Sequence, residues 1–555
     1  LTNPRQEGRE TARVRKRRRQ ILLSVRIFDI RVPLGFPEEN LLARVLLIIG
    51  VPPDQVENFS VARRGIDARR KGAIRRVYTA DVSLRSSSLE EAVCSRVASA
   101  RPHRAAPDPF PGTPVRPPPV RPVVVGAGPA GLFAALALAR SGAPPILLER
   151  GRPVEERSRQ VADFWKKGVL DPESNVSFGE GGAGTFSDGK LSTRIGDPLV
   201  EHVIGLFAEF SGLPELSREA KPHVGTDRLR RFCVRMREEL ASLGTQIRFG
   251  ARVDEVETGE GAVRSIRLST GDEIPCEDLV LAIGHSARDT VRMLLARGVR
   301  MSAKPFAVGF RVEHPQGLVD TIQYGKMAGR PGLPPADYRL AARAPSGRGI
   351  YSFCMCPGGE VIAASSGPGE MPVNGMSAHA RNSGFASSGI VAAVTTADFG
   401  TGDVLAGVDL QKTLEARAFR KGGGEFGIPA MNLMAFLKGK DRNLSRGKAL
   451  CPGVVRANLA GILPPRVEED IRYGLERFGE SMRGFLSQEG TLYGVESRTS
   501  SPVRIERENY ESVTVKGLYP VGEGAGHAGG IVSSAVDGIR AALHILGKYS
   551  GQRTG

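Results

Sequence analysis

Tryptophan occurs once in these 555 residues, aromatics together make up 6%, and there are only six cysteines. Six cysteines spread over so long a chain do not form the dense framework of a small secreted scaffold, and they fit a reducing compartment. Only Cys354 and Cys356 lie close together. Residues two apart in a strand share a face with Cα atoms near the upper bridging limit, so a turn before Pro357-Gly358-Gly359 is expected there rather than a redox disulfide. No histidine or second cysteine pair completes a zinc set beside them, and no metal is expected. An unbroken apolar run of the ~20 residues a membrane helix needs is also missing. The nearest stretch, Val120–Ala139, is interrupted by glycines and a proline, so no membrane span is expected and the chain reads as soluble. Absent as well are a Walker-type Gly-Lys-Ser/Thr loop and an apolar signal core behind the basic N-terminus.

Glycine, by contrast, is abundant at 68 residues, and hydrophobic residues reach 41%. These are the proportions of a globular protein with many tight turns. The formal charge of +17 is uneven: residues 1–122 hold 24 Lys and Arg against 12 Asp and Glu. Most of the excess therefore lies ahead of the glycine-rich part. The run Arg15–Arg19 reads as a solvated basic tail, with a nuclear signal or the remnant of an organelle transit segment as alternatives. The expected location is the cytoplasm, or a plastid-like stroma or matrix if the tail is such a remnant.

Six stretches are expected along the chain. Residues 1–19 form the basic tail. Residues 20–100 read as a small α+β domain, with strands near Ile21–Val32, Glu57–Ala68 and Ala73–Leu84, a helix near Glu38–Ile49 and another after Ser86–Ser88. Seven basic residues between Arg63 and Arg76 crowd its hairpin. A nucleic-acid surface is one reading of them; a solvated hairpin is favoured, because no RNP-like aromatic pattern or GXXG loop accompanies them. Residues 101–121 are rich in proline and read as a semi-rigid linker. Residues 122–303 and 491–555 read as two parts of one Rossmann domain, with an antiparallel segment at Gln246–Ile274. Residues 304–490 lose the βαβ rhythm and are assigned to a mixed β/α substrate or cap domain.

The strand Val123–Val125 leads into Gly126-Ala127-Gly128-Pro129-Ala130-Gly131, a helix follows, and Glu149 ends the next strand. In a dinucleotide turn Gly126 makes the bend, Gly128 admits the pyrophosphate and Gly131 lets helix and sheet pack closely. The helix N-terminus at Pro129 and Ala130 faces the phosphates, and Glu149 takes the adenosine ribose. Arg150 beside it keeps NADP as an alternative nucleotide. Nearly 400 residues later, Gly522-Glu523-Gly524 precedes the helix that begins at Gly530 and Ile531. This resembles the C-terminal FAD-binding sequence of glutathione-reductase-type flavoproteins, in which the acid contacts the ribityl or pyrophosphate region and the helix end faces the flavin's N1–O2 edge. A third glycine-rich loop, Asn175–Leu191, brings Gly181, Gly182, Gly184, Ser187, Asp188 and Lys190 within reach of a flat ligand.

Together with Ala282-Ile283-Gly284-His285, Cys354–Gly359, Asn374–Ser377 and Glu496–Pro502, these segments resemble the family of uncharacterised FAD-dependent dehydrogenases, relatives of the glutathione-reductase-type flavoproteins. The resemblance extends to Gly65–Lys71 in the N-terminal domain. It departs at His527, where the family usually has tyrosine. It implies FAD and oxidoreduction with a small-molecule substrate that it does not name. No second strand-GxGxxG-helix unit follows Gly131, so NAD(P)H, if it is the electron donor, visits transiently. His285 and His527 are weak candidates for moving a proton. Lys190 and Arg498 are weak candidates for holding an anionic substrate or the flavin's carbonyl edge, with a solvated or salt-bridged cation as the alternative for each. The alternative reading is a flavin-containing protein that uses its basic N-terminal domain on RNA.

Overall fold

A computed structural model describes residues 23–104, 110, 118–400, 402–439, 443–444, 447 and 449–550. The basic tail at 1–19 and most of the proline-rich segment lie outside the described residues. The chain divides into two compact units: residues 1–108 with 215–222 and 329–333, and the remainder.

The first unit is built on a four-stranded antiparallel sheet in the order Val56–Asp67, Arg75–Leu84, Leu23–Pro33, Ala100–Arg104. Alternation along Leu23–Pro33 buries Val25 and Ile27, then skips to Ile30 and Val32. A register shift between Ile27 and Ile30, with Asp29 at φ 57°, accounts for the skip: one extra residue in a strand turns the next side chains back to the same face. Leu41, Val45 and Ile49, spaced by four on the helix Leu41–Ile49, cover that face. The final strand corrects the expected boundary: residues 101–104 belong to the sheet rather than to the linker. Pro102 is tolerated there since the strand lies at the sheet edge.

In the second unit, a five-stranded parallel sheet runs in the order Leu518–Pro520, Leu279–Leu281, Val123–Val125, Ile146–Glu149, Gln246–Phe249. Its central strands are apolar on both sides, as expected when helices cover both faces. The helices Pro129–Arg140 and Ile531–Tyr549 pack so closely that a Cβ on Gly538 would lie 2.0 Å from the Ala130 carbonyl oxygen. Gln246–Phe249, expected in an antiparallel segment, is the edge strand of this parallel sheet. Its four residues alternate in either setting, so periodicity could not choose between them. The antiparallel hairpins begin at Val253.

A seven-stranded mixed sheet contains Gly349–Cys356, Phe385–Val394, Phe306–Pro315, Thr491–Glu496 and Ile428–Asn432 in that order. Thr491–Glu496 was expected to open the returning half of the Rossmann domain. It pairs instead with Phe306–Pro315, through Arg311 with Tyr493 and Val312 with Leu492. Among the described residues no helix is long and apolar enough to cross a membrane.

Candidate functional site

The glycine turn after Val125 is fixed by close approach. Gly126 sits at φ 101°, and a Cβ there would meet the Ala282 carbonyl oxygen at 2.3 Å. A Cβ on Gly131 would lie 1.8 Å from the Gly126 carbonyl oxygen, so turn and helix can meet only because Gly131 lacks a side chain. Gly128 is the N-cap of Pro129–Arg140 and supplies no capping side chain. The first amides of that helix are therefore left for a ligand.

Glu149 is buried, and its carboxylate accepts from the backbone N–H of Ala127 at 2.8 Å, Gly151 at 2.9 Å and Gly179 at 2.9 Å. It thereby ties the fingerprint turn to the third glycine-rich loop. Arg150 does not reach freely into the cavity. It pairs with Glu173 and Asp289, both at 2.9 Å, and lies 4.1 Å over the ring of Phe178.

Sequence reasoning missed Arg157. Its guanidinium is fully buried and donates to the carbonyls of Asn175, Val176, Gly179, Glu180 and Gly182 at 2.6–3.2 Å. Burial lowers its pKa to about 10. One side chain thus shapes the loop whose glycines come within van der Waals distance of the fingerprint: a Cβ on Gly182 would lie 3.1 Å from the Gly128 Cα. Only its position, in an amphipathic helix just after Glu149, hinted at this role.

A single cavity collects most of the expected site. Gly126, Gly128, Pro129, Ala130, Glu149 and Arg150 line one part of it. Gly182, Gly184 and Gly284 continue the wall, and Gly522, Glu523, Gly530 and Ile531 close it. Gly131 and Gly181 are not among the lining residues. Gly131 serves helix–sheet packing, and a Cβ on Gly181 would strike Thr185 and Cys233.

The four candidates for chemistry separate. His285 lines the cavity, its Nδ1 2.8 Å from Ser286 Oγ. Enclosure, then Arg498 and Arg288, lowers its pKa to about 4. It is a neutral, weakly basic imidazole at pH 7. Arg498 also lines the cavity, but it bonds Glu415 at 2.9 Å, Glu370 at 2.9 Å and Ser366 at 2.6 Å. Arg288 bridges the same two carboxylates. Of the two readings of Arg498, an anion holder or a salt-bridged cation, the geometry matches the second: its donors are committed to protein carboxylates. Lys190 lies outside the cavity lining, with Nζ 4.0 Å from Asp188. His527 lines a second cavity, its Nε2 2.9 Å from the Ile505 carbonyl oxygen.

Two groups that were not singled out as catalytic candidates stand in the same wall. Burial raises the Glu523 carboxyl to about 7, against an opposing pull from Lys304. Cys354, in the strand Gly349–Cys356, has φ 42° and also lines the cavity. The neighbouring Cys356 thiol, then Lys190 and Arg311, lowers the Cys354 thiol to about 6 against its burial. Behind the pair, fully buried Arg311 donates to the Cys354 carbonyl at 2.7 Å and to Glu496 at 3.0 Å. Both cysteines are free thiols. Among the described residues no group of three or more His, Cys, Asp or Glu is placed to hold a metal ion.

In the first unit the basic hairpin is partly neutralised. Arg64 pairs with Glu219 at 2.6 Å, Arg69 with Asp67 at 2.6 Å, and Arg63 donates to the Ala220 carbonyl.

A protein of Clostridium beijerinckii, described only as uncharacterized, is 41% identical over 550 residues, covering 95% of this chain and 99% of that one. The chain belongs to that protein's family. Within it, residues 305–499 match the family described as "FAD-dependent protein, C-terminal domain-like". Residues 24–83 match a domain of unknown function. The indole-3-pyruvate monooxygenase YUCCA1 of Oryza sativa subsp. japonica is 30% identical over 171 residues, 30% of this chain and 33% of its own. Among solved structures, the tetracycline destructase Tet(51) aligns over 78% of this chain and 82% of its own at 12% identity, with a TM-score of 0.33. A glycine oxidase from Bacillus cereus aligns over 78% and 99%, again at 12% identity and a TM-score of 0.33.

The residues present fit FAD. Two helix N-termini without capping side chains, at Gly128 and Gly530, open on one cavity. The apposed glycines 128 and 182 leave its wall bare for a flat or phosphorylated group.

Proposed function

We propose that this protein is an oxidoreductase that holds FAD noncovalently in the cavity between the Gly126–Gly131 turn and the Gly522–Ile531 segment. The reading is carried by one observation: residues nearly 400 positions apart, each typed for a different part of a dinucleotide, line the same cavity. Residues 122–303 and 500–555 would form the cofactor domain, and 304–499, which include the strand Thr491–Glu496, the substrate-facing domain.

When bound, FAD supplies hydride chemistry at its ring. The chain's own residues do the rest. The amides after Gly128 bind the pyrophosphate, and Glu149 orients the adenosine ribose with the lone-pair capacity left after its three backbone bonds. The N-terminus of Ile531–Tyr549 would supply positive potential to negative charge held at that end of the cavity. For proton transfer, Glu523 is better matched than His285, because a group with a pKa near the working pH is the more effective acid or base. NAD(P)H is proposed as a transient electron donor to the bound flavin, with a small-molecule substrate as the redox partner.

Anaerobic titration of purified protein with NADH and NADPH tests this. A yellow protein whose flavin is bleached by either nucleotide, and which releases FAD on denaturation, is expected. A colourless protein that cannot be reconstituted with FAD overturns the reading, and a yellow one bleached by neither nucleotide removes the nicotinamide donor.

A further inference from the structure

A second cavity, of ≈650 Å³, shares Gly529, Gly530 and Ile531 with the first. The two therefore meet at the N-terminus of the 19-residue helix Ile531–Tyr549. Its volume lies within the ~300–1,000 Å³ typical of small-molecule sites. Arg194, Lys304, Arg339 and Arg504 line it with His527, and no aspartate or glutamate does.

These four cations differ from those around the first cavity. Arg498 and Arg288 share Glu415 and Glu370, and Arg150 is paired with Glu173 and Asp289. Arg507 and Arg540, near the same helix, are paired with Asp537 and Asp197. Among the described residues, Arg194, Lys304, Arg339 and Arg504 form no ion pair. Lys304 is half-buried, and its pKa is lowered by burial and then by Arg504, with Glu523 opposing. Like charges gathered around one concavity repel one another, and an anionic ligand relieves that repulsion. One monoanion would leave most of the charge unmatched. Guanidinium groups also bind carboxylate and phosphate oxygens in pairs, and the open amides of the helix N-terminus add donors of the same preference.

We propose that this basic cavity binds a small molecule bearing two or more carboxylate or phosphate groups, the substrate side of the oxidoreductase site. The assignment of that ligand as a redox substrate rests on the FAD reading; the anion binding itself does not.

The test uses the purified full-length protein saturated with FAD, titrated calorimetrically at low ionic strength with inorganic pyrophosphate, tricarballylate and, as an uncharged control, erythritol. Binding of at least one anion and none of erythritol is expected. Pyrophosphate alone points to phosphate esters, and tricarballylate alone to polycarboxylates. In the double variant Arg194→Gln/Arg504→Gln the affinity falls by at least ~10-fold, the scale of one lost charge-assisted contact. Arg504→Lys, which keeps the charge, retains more of the affinity than Arg504→Gln. Absence of binding by either anion, or equal affinity in a double variant with unchanged circular dichroism, overturns the proposal. Flavin content, read from the visible spectrum, keeps the two readings apart. A yellow protein that binds neither anion overturns this inference alone, and a colourless protein that binds them overturns the FAD reading alone.

Discussion

Glu149 accepts a hydrogen bond from the backbone N–H of Gly179 at 2.9 Å, thirty positions downstream. The acid of the dinucleotide fingerprint is therefore also an anchor for the loop opposite it. Glu149→Gln replaces an acceptor of three N–H groups with an amide whose own N–H₂ faces donors. Urea unfolding is expected to show a loss of about 2 kcal/mol, the scale of hydrogen bonds to a charged partner, together with weaker FAD retention on dialysis. Unchanged values for both would remove the anchoring role.

Arg157 serves five carbonyls and no ion-paired carboxylate. Arg157→Met fills similar space but leaves those acceptors without their donor. A destabilisation of at least ~3 kcal/mol is expected, since a few unsatisfied buried groups cost ~1–3 kcal/mol each. Limited proteolysis should then cut between residues 175 and 186 before other sites. Resistance equal to the parent protein's would show that the loop holds its shape unaided.

Two glycines of the fingerprint should respond differently. Gly131→Ala places a Cβ 1.8 Å from a carbonyl oxygen, so the helix must shift and stability must fall. At Gly128 a Cβ meets nothing closer than the Gly182 Cα at 3.8 Å. Gly128→Val should therefore melt within a few degrees of the parent while purifying with little or no flavin. Equal flavin content in parent and Gly128→Val would argue that the dinucleotide lies elsewhere.

Cys354 should be alkylated by iodoacetamide along a pH curve centred near its lowered pKa of about 6. An ordinary thiol titrates near 8.5. Cys356→Ser, which replaces the thiol named first among the causes of the shift, should move the curve upward. A midpoint near 8.5 in the parent protein would show that the pair is not coupled in this way.

Glu496 and Glu523 both have carboxyls raised to about 7, first by burial. Between the unfolded carboxyl pKa and pH 7 the native state then binds more protons than the unfolded state, so stability falls as pH rises through that window and levels off above it. Glu523→Gln should flatten part of that slope in denaturant titrations at several pH values, whereas an unchanged slope would place its titration elsewhere.

The residues legible in sequence were those whose types carry a backbone requirement. Gly126 and Gly131 have no room for a Cβ, and the glycines at 522 and 530 announce a strand end and a helix start. What stayed hidden was set by partners distant in the chain. Nothing local to Arg498 reveals Glu415, 83 positions earlier. The strand Thr491–Glu496 could join either neighbouring sheet by its pattern, and only pairing with Arg311 and Val312 decides it. Arg157 was hidden for another reason: its partners are main-chain oxygens, which leave no trace in side-chain identity.

The strand Leu518–Pro520 pairs with Leu279–Leu281, and the helix that follows packs on Pro129–Arg140. During translation, then, the first half of the cavity wall leaves the ribosome long before the segment that closes it. Between those moments the nascent chain exposes one side of Leu279–Leu281 and the face of Pro129–Arg140 that will later be covered. Chaperone capture of ribosome-bound chains should consequently persist until residues 518–549 emerge and then drop sharply, making completion of the cavity a late event in the protein's biogenesis.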